Sequence, residues 1–291
     1  MVLYVILPYF NYCNFKKRRT LFIDFVHRIK YARVRVVVVE CGRDLPLFLP
    51  VWKHYRLRET SPVWIKENLI NYGVSKLPAD WQFMAWIDAD LTFLSPTWVQ
   101  DTIKALGSSD VVQMFQTAVN MGPTGEAFKI DKAFAHMYLS GSPYHRTDKY
   151  GHWHPGYAWA ITKPAYQKIG GLLSWAILGS GDRHLAMALI GRVHDSYHQG
   201  VHNNYKSLLD DFQKRCKGLT LGCVPGSILH HWHGSLDNRK YRERWLILVD
   251  NKYDPLMDVG LDKHGVIHLT LEGMRLEVPL IRYFMDRLED A

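Results

Sequence analysis

Trp86-Ile87-Asp88-Ala89-Asp90-Leu91-Thr92-Phe93 is the stretch on which the reading of this chain turns. The apolar run from Trp81 to Ile87 reads as a strand, and it runs straight into two acidic residues. On an extended backbone residues i and i+2 face the same way, so Asp88 and Asp90 can turn both carboxylates toward one ion. Carboxylate ligands suit Mg²⁺ or Mn²⁺, with phosphate oxygens and water in the remaining positions. The carboxyl ends of strands are also where open α/β sheets bind ligands. D-x-D is a common pair at strand ends. Here an apolar strand precedes it and Leu91-Thr92-Phe93-Leu94 follows, and aspartates in that setting are expensive unless a positive charge compensates them.

Working outward, strands are predicted at 2–8, 34–39, 81–87, 110–119, 158–162 and 226–231. Helices are predicted at 16–31, 62–73, 97–106, 126–139, 182–190, 203–217, 237–249 and 278–288, and a loop over the site at 140–156. This alternation implies an α/β fold with a mostly parallel central sheet and helices on both faces. The 291 residues fit one large domain or two small ones; without repeats or a clear linker, one domain with a C-terminal helical extension is expected.

Hydrophobic residues make up 47% and charged residues 22%, the balance of an ordinary globular chain. No apolar run reaches roughly 18 residues, so no membrane span is expected. The start, Met1-Val2-Leu3-Tyr4-Val5-Ile6-Leu7-Pro8, reads as a buried strand without a basic leader or cleavage site, so a soluble, cytoplasmic protein is expected. Cys13, Cys41, Cys216 and Cys223 form no C-x-x-C pair and match no zinc spacing; reduced thiols are expected. The net charge of +8 suits nucleic acid or a small anion such as a nucleoside diphosphate. Only Lys16-Lys17-Arg18-Arg19 is contiguous, and it reads as a solvated helix start, so no nucleic-acid partner is expected.

Three further stretches carry chemistry. In Ile228-Leu229-His230-His231-Trp232-His233-Gly234 a second apolar strand ends in polar groups; imidazole beside carboxylate leans toward Mn²⁺, although such histidines also cap strands locally. Gly170-Gly171-Leu172, followed by Gly179-Ser180-Gly181-Asp182, puts an acid at a helix start, where Asp also serves as an ordinary cap. It lacks both the full dinucleotide fingerprint and a Walker A sequence. Asn238-Arg239-Lys240-Tyr241-Arg242-Glu243-Arg244 offers cations to a diphosphate, or a solvated basic helix face.

Together these pieces resemble the GT-A glycosyltransferases, among them bacterial, phage and large-virus members. A first strand ends in Pro8-Tyr9-Phe10-Asn11 and a second in Glu40. The D-x-D, the Gly-Gly-Leu loop with its helical acid, and a late histidine follow in order. The stretch from His154-Pro155-Gly156-Tyr157-Ala158-Trp159-Ala160 to Gly181-Asp182 looks like the acceptor-side region of those enzymes. The resemblance implies a metal-dependent, Rossmann-like catalytic domain over 1–235, with a nucleotide-sugar half near 1–119 and an acceptor half near 120–235; residues 236–291 would pack on the same domain. It implies transfer of a sugar from a nucleoside diphosphate sugar, a UDP-sugar by the D-x-D and late-histidine pair, to a hydroxyl of a glycan or glycoconjugate.

By that resemblance Asp88, Asp90 and His231 would hold Mn²⁺ or Mg²⁺, with Asp88 on ribose or metal and His233 as the alternative histidine. Pro8, Tyr9, Asn11, Glu40, Lys66, Asn68, Asn71, Ala89, His233 and Arg239 would line the donor pocket. Asp182 would be the general base of an inverting reaction; many members carry two acids there, whereas this chain has Gly181-Asp182-Arg183. The 10 Trp and 16 Tyr suit sugar faces, and Trp153, His154, Tyr157 and Trp175 are the acceptor-side candidates, although such aromatics are also ordinary core residues. A sugar-nucleotide-forming nucleotidyltransferase would carry a Gly-rich basic loop after the first strand, and Pro8-Tyr9-Phe10-Asn11-Tyr12 has no glycine. An inactive sugar-binding module would release no nucleoside diphosphate.

Overall fold

The computed structural model describes residues 1–58, 61–144 and 153–291. The first strand, β1 (Leu3–Phe10), and β2 (Val34–Cys41) lie parallel, from Leu3 opposite Val34 to Phe10 opposite Cys41. They flank α1 (Lys16–Ile29). Then come β3 (Lys53–Leu57), α2 (Lys66–Ser75), β4 (Phe83–Ile87), β5 (Leu91–Phe93), α3 (Trp98–Leu106), β6 (Val111–Gln113), β7 (Thr117–Met121), β8 (Ala127–Lys132) and α4 (Phe134–Leu139). The second half runs β9 (Ala158–Thr162), α5 (Lys163–Ile169), α6 (Gly181–Leu189), α7 (Asn203–Cys216), β10 (Leu221–Cys223) and β11 (Ser227–His230). It ends with α8 (Arg244–Asp250), β12 (Val259–Leu261), β13 (Ile267–Leu269) and α9 (Glu277–Asp286).

Seven strands form the main sheet in the order β10-β6-β9-β4-β1-β2-β3. All neighbours are parallel except β9, which runs antiparallel to both β4 and β6. A second sheet, β5-β11-β7-β8, stands beside it, and β12 pairs with β13 as a hairpin.

Strands covered on both faces read as continuous apolar runs, which explains Val36-Val37-Val38-Val39. Leu3, Val5 and Leu7 point to one face, onto Phe22, Phe25, Val26 and Ile29 of α1. Tyr4 and Ile6 point to the other, in one cluster with Leu69 and Ile70 of α2 and with Trp86. The same cluster contains Leu276, Leu280, Tyr283 and Phe284, so the C-terminal segment buries its side chains in the core of the sheet. Helix α2 crosses β1 at Gly73, where a Cβ would lie 2.7 Å from Ile6 Cγ2.

Three of the expected elements differ in the fold. The run 110–119 is two strands: β6 belongs to the main sheet, and the chain turns at Met114-Phe115-Gln116 so that β7 enters the second. The helix expected at 126–139 begins only at Phe134, because 127–132 pair antiparallel with β7. The helix expected at 237–249 is a short 3-10 turn at Asp237–Arg239, a left-handed Lys240 and α8. Among the described residues no helix is long and apolar enough to cross a membrane. Part of the loop expected at 140–156 lies outside the described residues.

Candidate active site

Asp88 and Asp90 follow β4 at the carboxyl end of the main sheet, and the Asp88 N–H donates to Tyr157 O (2.8 Å). Just beyond, β5 pairs antiparallel with β11, placing Leu91 opposite His230, and the His231 N–H donates to Asp90 O (2.8 Å). Asp90 Oδ2 therefore lies 2.9 Å from His233 Nε2 and 3.7 Å from His230 Nε2, and the two imidazole nitrogens are 3.3 Å apart.

His230 donates through Nδ1 to Asn120 Oδ1 (2.9 Å), which also accepts from the Tyr157 hydroxyl (2.7 Å). That partner leaves the His230 Nε2 lone pair aimed at a carboxylate. Burial lowers the His230 pKa, against the pull of Asp90, and keeps the ring neutral. His233 Nε2 accepts from Arg239 Nη2 (2.7 Å). Asp90 Oδ1 is buried and has no hydrogen-bond partner among the described residues. The His230 lone pair and the Asp90 carboxylate, with its orphaned oxygen, fit a divalent cation, and the His233 Nε2 lone pair completes the set where it turns from Arg239 to the ion. An octahedral ion with bonds near 2.1 Å sets neighbouring ligand atoms about 3 Å apart, close to these separations.

Lys66, buried at the start of α2, joins the carboxylates: Nζ is 2.7 Å from Asp88 Oδ1 and 2.9 Å from Asp182 Oδ2. Burial, with Asp182 and Asp90 close by, lifts Asp88 to about 6 despite Lys66. Asp182, in the first turn of α6, also accepts from Trp86 Nε1 (3.3 Å). Its neighbour is glycine for a steric reason: a Cβ at Gly181 would lie 2.1 Å from Glu67 Oε1. A second acid at 181, as in the resembled pattern, would have to displace the Glu67 carboxyl from α2, which fills that space. Burial pushes Glu67 up to about 8, so it is protonated at neutral pH.

Two cavities meet at these groups and share Trp64, Lys66, Asp88, Asp90, Arg239 and Arg287. The smaller, about 120 Å³, is lined by Pro8, Tyr9, Arg18, Phe22 and Ala89. The larger, about 380 Å³, is lined by Asn120, Asp131, Trp153, His154, Tyr157 and Asp182. His154 stacks on Tyr157 at 3.9 Å, and burial drives it down to about 4, so it is neutral.

Several expected site residues lie elsewhere. His231 bonds Thr92 Oγ1 (2.8 Å) rather than joining the cluster; β11 ends at His230, so the alternation that paired His231 with His233 stops there. Glu40 is fully buried, paired to His54 (2.9 Å) and Arg56 (3.0 Å) and accepting from the Leu45 N–H. Asn11 closes its own turn to Phe15 and donates to Asp44, outside both main cavities. Asn68 holds the β12–β13 hairpin through Gly265 O and the Ile267 N–H. Asn71 binds both Leu172 N–H and Leu172 O, so it shapes the Gly170-Gly171 turn. Trp175 packs edge-on against Tyr205 at 4.8 Å.

Other lining residues were not anticipated. Asn120 and Asp131 come from β7 and β8, and Asp131 accepts from Asn120 Nδ2 (2.8 Å). From the far end of the chain comes Glu289, which is buried, accepts two 2.7 Å bonds from Arg18 and one from Arg287, and stands 3.8 Å from His233 Nδ1. Within the sequence the only hint was the Lys16–Arg19 run; nothing local connects residue 18 to residue 289.

No protein-family model matches the sequence, and no curated protein matches it. Solved structures are distantly similar. The catalytic domain of Drosophila β1,4-galactosyltransferase 7 in complex with xylobiose is 12% identical, covers 83% of this chain and 73% of its own, with a TM-score of 0.39. S. aureus TarS is 14% identical over 99% of this chain and 43% of its own, with a TM-score of 0.45. 4-Diphosphocytidyl-2C-methyl-D-erythritol synthase from Anaerococcus prevotii is 13% identical over 77% of this chain and 89% of its own, with a TM-score of 0.37.

Proposed function

We propose that this chain is a metal-dependent glycosyltransferase of GT-A type, moving a sugar from a nucleoside diphosphate sugar to a hydroxyl of a glycan or glycoconjugate. One observation carries the reading: Asp182 faces the larger cavity and is joined through Lys66 to Asp88, while Asp90, His230 and His233 gather, within the spacing of a cation's ligands, where the two cavities meet. A base and a cation site across one space, with room on either side, suit transfer between two substrates.

The donor's nucleoside would occupy the smaller cavity beside Tyr9, with its diphosphate toward Arg18, Arg239 and Arg287. The acceptor would enter the larger one, over Trp153 and Tyr157. Asp182 takes the proton of the attacking hydroxyl as the anomeric carbon bonds to the new oxygen and releases the diphosphate oxygen. Attack opposite the leaving group inverts the anomeric centre. Lys66 keeps the Asp182 carboxylate in place and balances charge between it and Asp88. Mn²⁺ or Mg²⁺, held by Asp90, His230 and His233 with Asp88 nearby, would neutralise charge on the departing diphosphate, and the imidazoles favour Mn²⁺.

A panel of nucleotide sugars with Mn²⁺ and mixed glycan acceptors tests this: nucleoside diphosphate should be released, and chelator should stop it. Pyrophosphate release from a nucleoside triphosphate and a sugar 1-phosphate would instead make the chain a nucleotidyltransferase. The donor base is read as uracil from the family resemblance, and tighter calorimetric binding of GDP than UDP would reverse that.

A further inference from the structure

The amino end of the main sheet, opposite the candidate site, gathers cations and exposed rings. The turn from α1 into β2 carries Lys30, Tyr31 and Arg33 on the surface, and Arg35 is exposed at the start of β2. The Trp52 N–H donates to Val36 O (3.0 Å), and Lys53 opens β3 opposite Val37, so both sit at this same end. The Arg35 guanidinium lies over the rings of Tyr4 and Trp52, at 5.8 and 5.4 Å, and Lys53 Nζ lies 5.7 Å from the Trp52 ring. Lys30 Nζ stands 4.7 Å from the Tyr31 ring. Asp88 and Asp90 follow the carboxyl end of β4, and the 8 residues of β1 put about 26 Å between the two ends.

No Asp or Glu occurs from residue 25 to 39 or from 45 to 58. Among the described residues Lys30, Arg33, Arg35 and Lys53 enter no ion pair with a carboxylate. The dipole of α1 favours Lys30 at its C-cap, but Arg35 and Lys53 stand on strands, where no such dipole acts. Apolar side chains accompany the charge. Tyr31 is 84% exposed, and the loop leading to Trp52 exposes Leu47 and Phe48 by 74% and 93%. Cations on long stems beside exposed rings and aliphatic groups suit an anionic bilayer: stems and rings enter the headgroup layer while the charges stay among the phosphates. Single-stranded nucleic acid asks instead for rings on which bases can stack, and the Trp52 and Tyr31 rings already carry cations.

We propose that this end of the sheet docks on a membrane bearing anionic lipid, with the candidate site turned away from the bilayer. Such docking is independent of what the site transfers. Each cation near an anionic surface is worth roughly fivefold in affinity. Wild type should float with phosphatidylcholine vesicles containing about a third phosphatidylserine at about 0.1 M salt. It should stay in the soluble fraction with phosphatidylcholine alone, or at about 1 M salt, where charges are screened beyond about 3 Å. Arg33→Glu with Lys53→Glu should bind the mixed vesicles at least about 25-fold more weakly. Its melting should be unchanged, because both side chains are exposed and outside the core. Lys252→Glu with Lys263→Glu removes the same charge elsewhere and should keep wild-type binding. Failure of wild type to float, or equal losses in the two double variants, overturns the proposal. So does retardation of single-stranded RNA by wild type, but not by Arg33→Glu with Lys53→Glu, in the absence of flotation; this end would then be a nucleic-acid surface.

Discussion

In the proposed reaction Asp182 acts only during attack, so its effect belongs to turnover rather than to donor affinity. Asp182→Asn keeps the size and the hydrogen bond from Trp86. Turnover should fall by about 10²–10⁴-fold with donor affinity nearly constant, and single-turnover rates beside calorimetry would separate the two. At the proposed metal cluster, His230→Ala and His233→Ala should each weaken Mn²⁺ binding by roughly tenfold or more, the scale seen for groups that shape a metal site. His231→Ala should change it little, because that ring is engaged with Thr92; equal losses at His230 and His231 in a Mn²⁺ titration would remove this distinction. Glu67 supplies a pH signature. Its carboxyl is raised by burial from 4.5 to about 8, so the unfolded chain ionises first, and stability falls as pH rises through that window. Glu67→Gln does not titrate, so its melting temperature relative to wild type should climb between pH 5 and pH 8.5; a constant difference would contradict the buried, protonated acid. Asp88 and Asp90 stood out in the sequence because they close an apolar strand, and Asp182 because it opens a helix after Gly179-Ser180-Gly181. His230 was not separated from His231, since the face a histidine takes depends on where its strand stops.

Among the elements, α1 shows how local sequence can argue against what the fold provides. It opens with Lys16-Lys17-Arg18-Arg19, has no acid in its first turn, and Phe15 supplies no cap. Four cations at the positive end of a helix dipole are unfavourable. The chain's far end compensates: Asp290 accepts from the Lys16 and Lys17 N–H groups (3.1 and 2.7 Å), and Glu289 pairs with Arg18. Asp290→Ala should cost about 0.5–2 kcal/mol, the usual worth of a helix cap. For a chain of this size that is a fall of a few degrees in melting temperature. A calorimetric scan showing no shift would mean that water replaces the carboxylate. The strand β8 teaches the complementary point: residues 127–132 read as the start of a helix, but pairing with β7 overrides that local reading. Asn68 and Asn71 point the same way, since their polar ends proved to be latches for the β12–β13 hairpin and the Gly170-Gly171 turn.

Across the whole molecule, residues 236–291 read as an extension packed on the same domain, and Leu276, Leu280, Tyr283 and Phe284 lie in the same core cluster as Ile6 and Trp86. Burying four such side chains is worth roughly 6–12 kcal/mol, comparable to the entire stability of a domain. A chain cut after residue 235 should therefore express insoluble or unfolded, whereas a separable extension would leave a cooperative melt. The sequence by itself determined the α/β alternation, the buried parallel strands and the carboxylates that end them. Those features follow from periodicity and from the cost of placing charge beside apolar runs, both readable within about ten neighbouring residues. Tertiary structure alone decided which histidines face Asp90, that Glu67 fills the space beside Gly181, and that Glu289 reaches Arg18 and His233. Each of these depends on groups brought together from distant parts of the chain, where side-chain direction and available space are set by packing and carry no local signature.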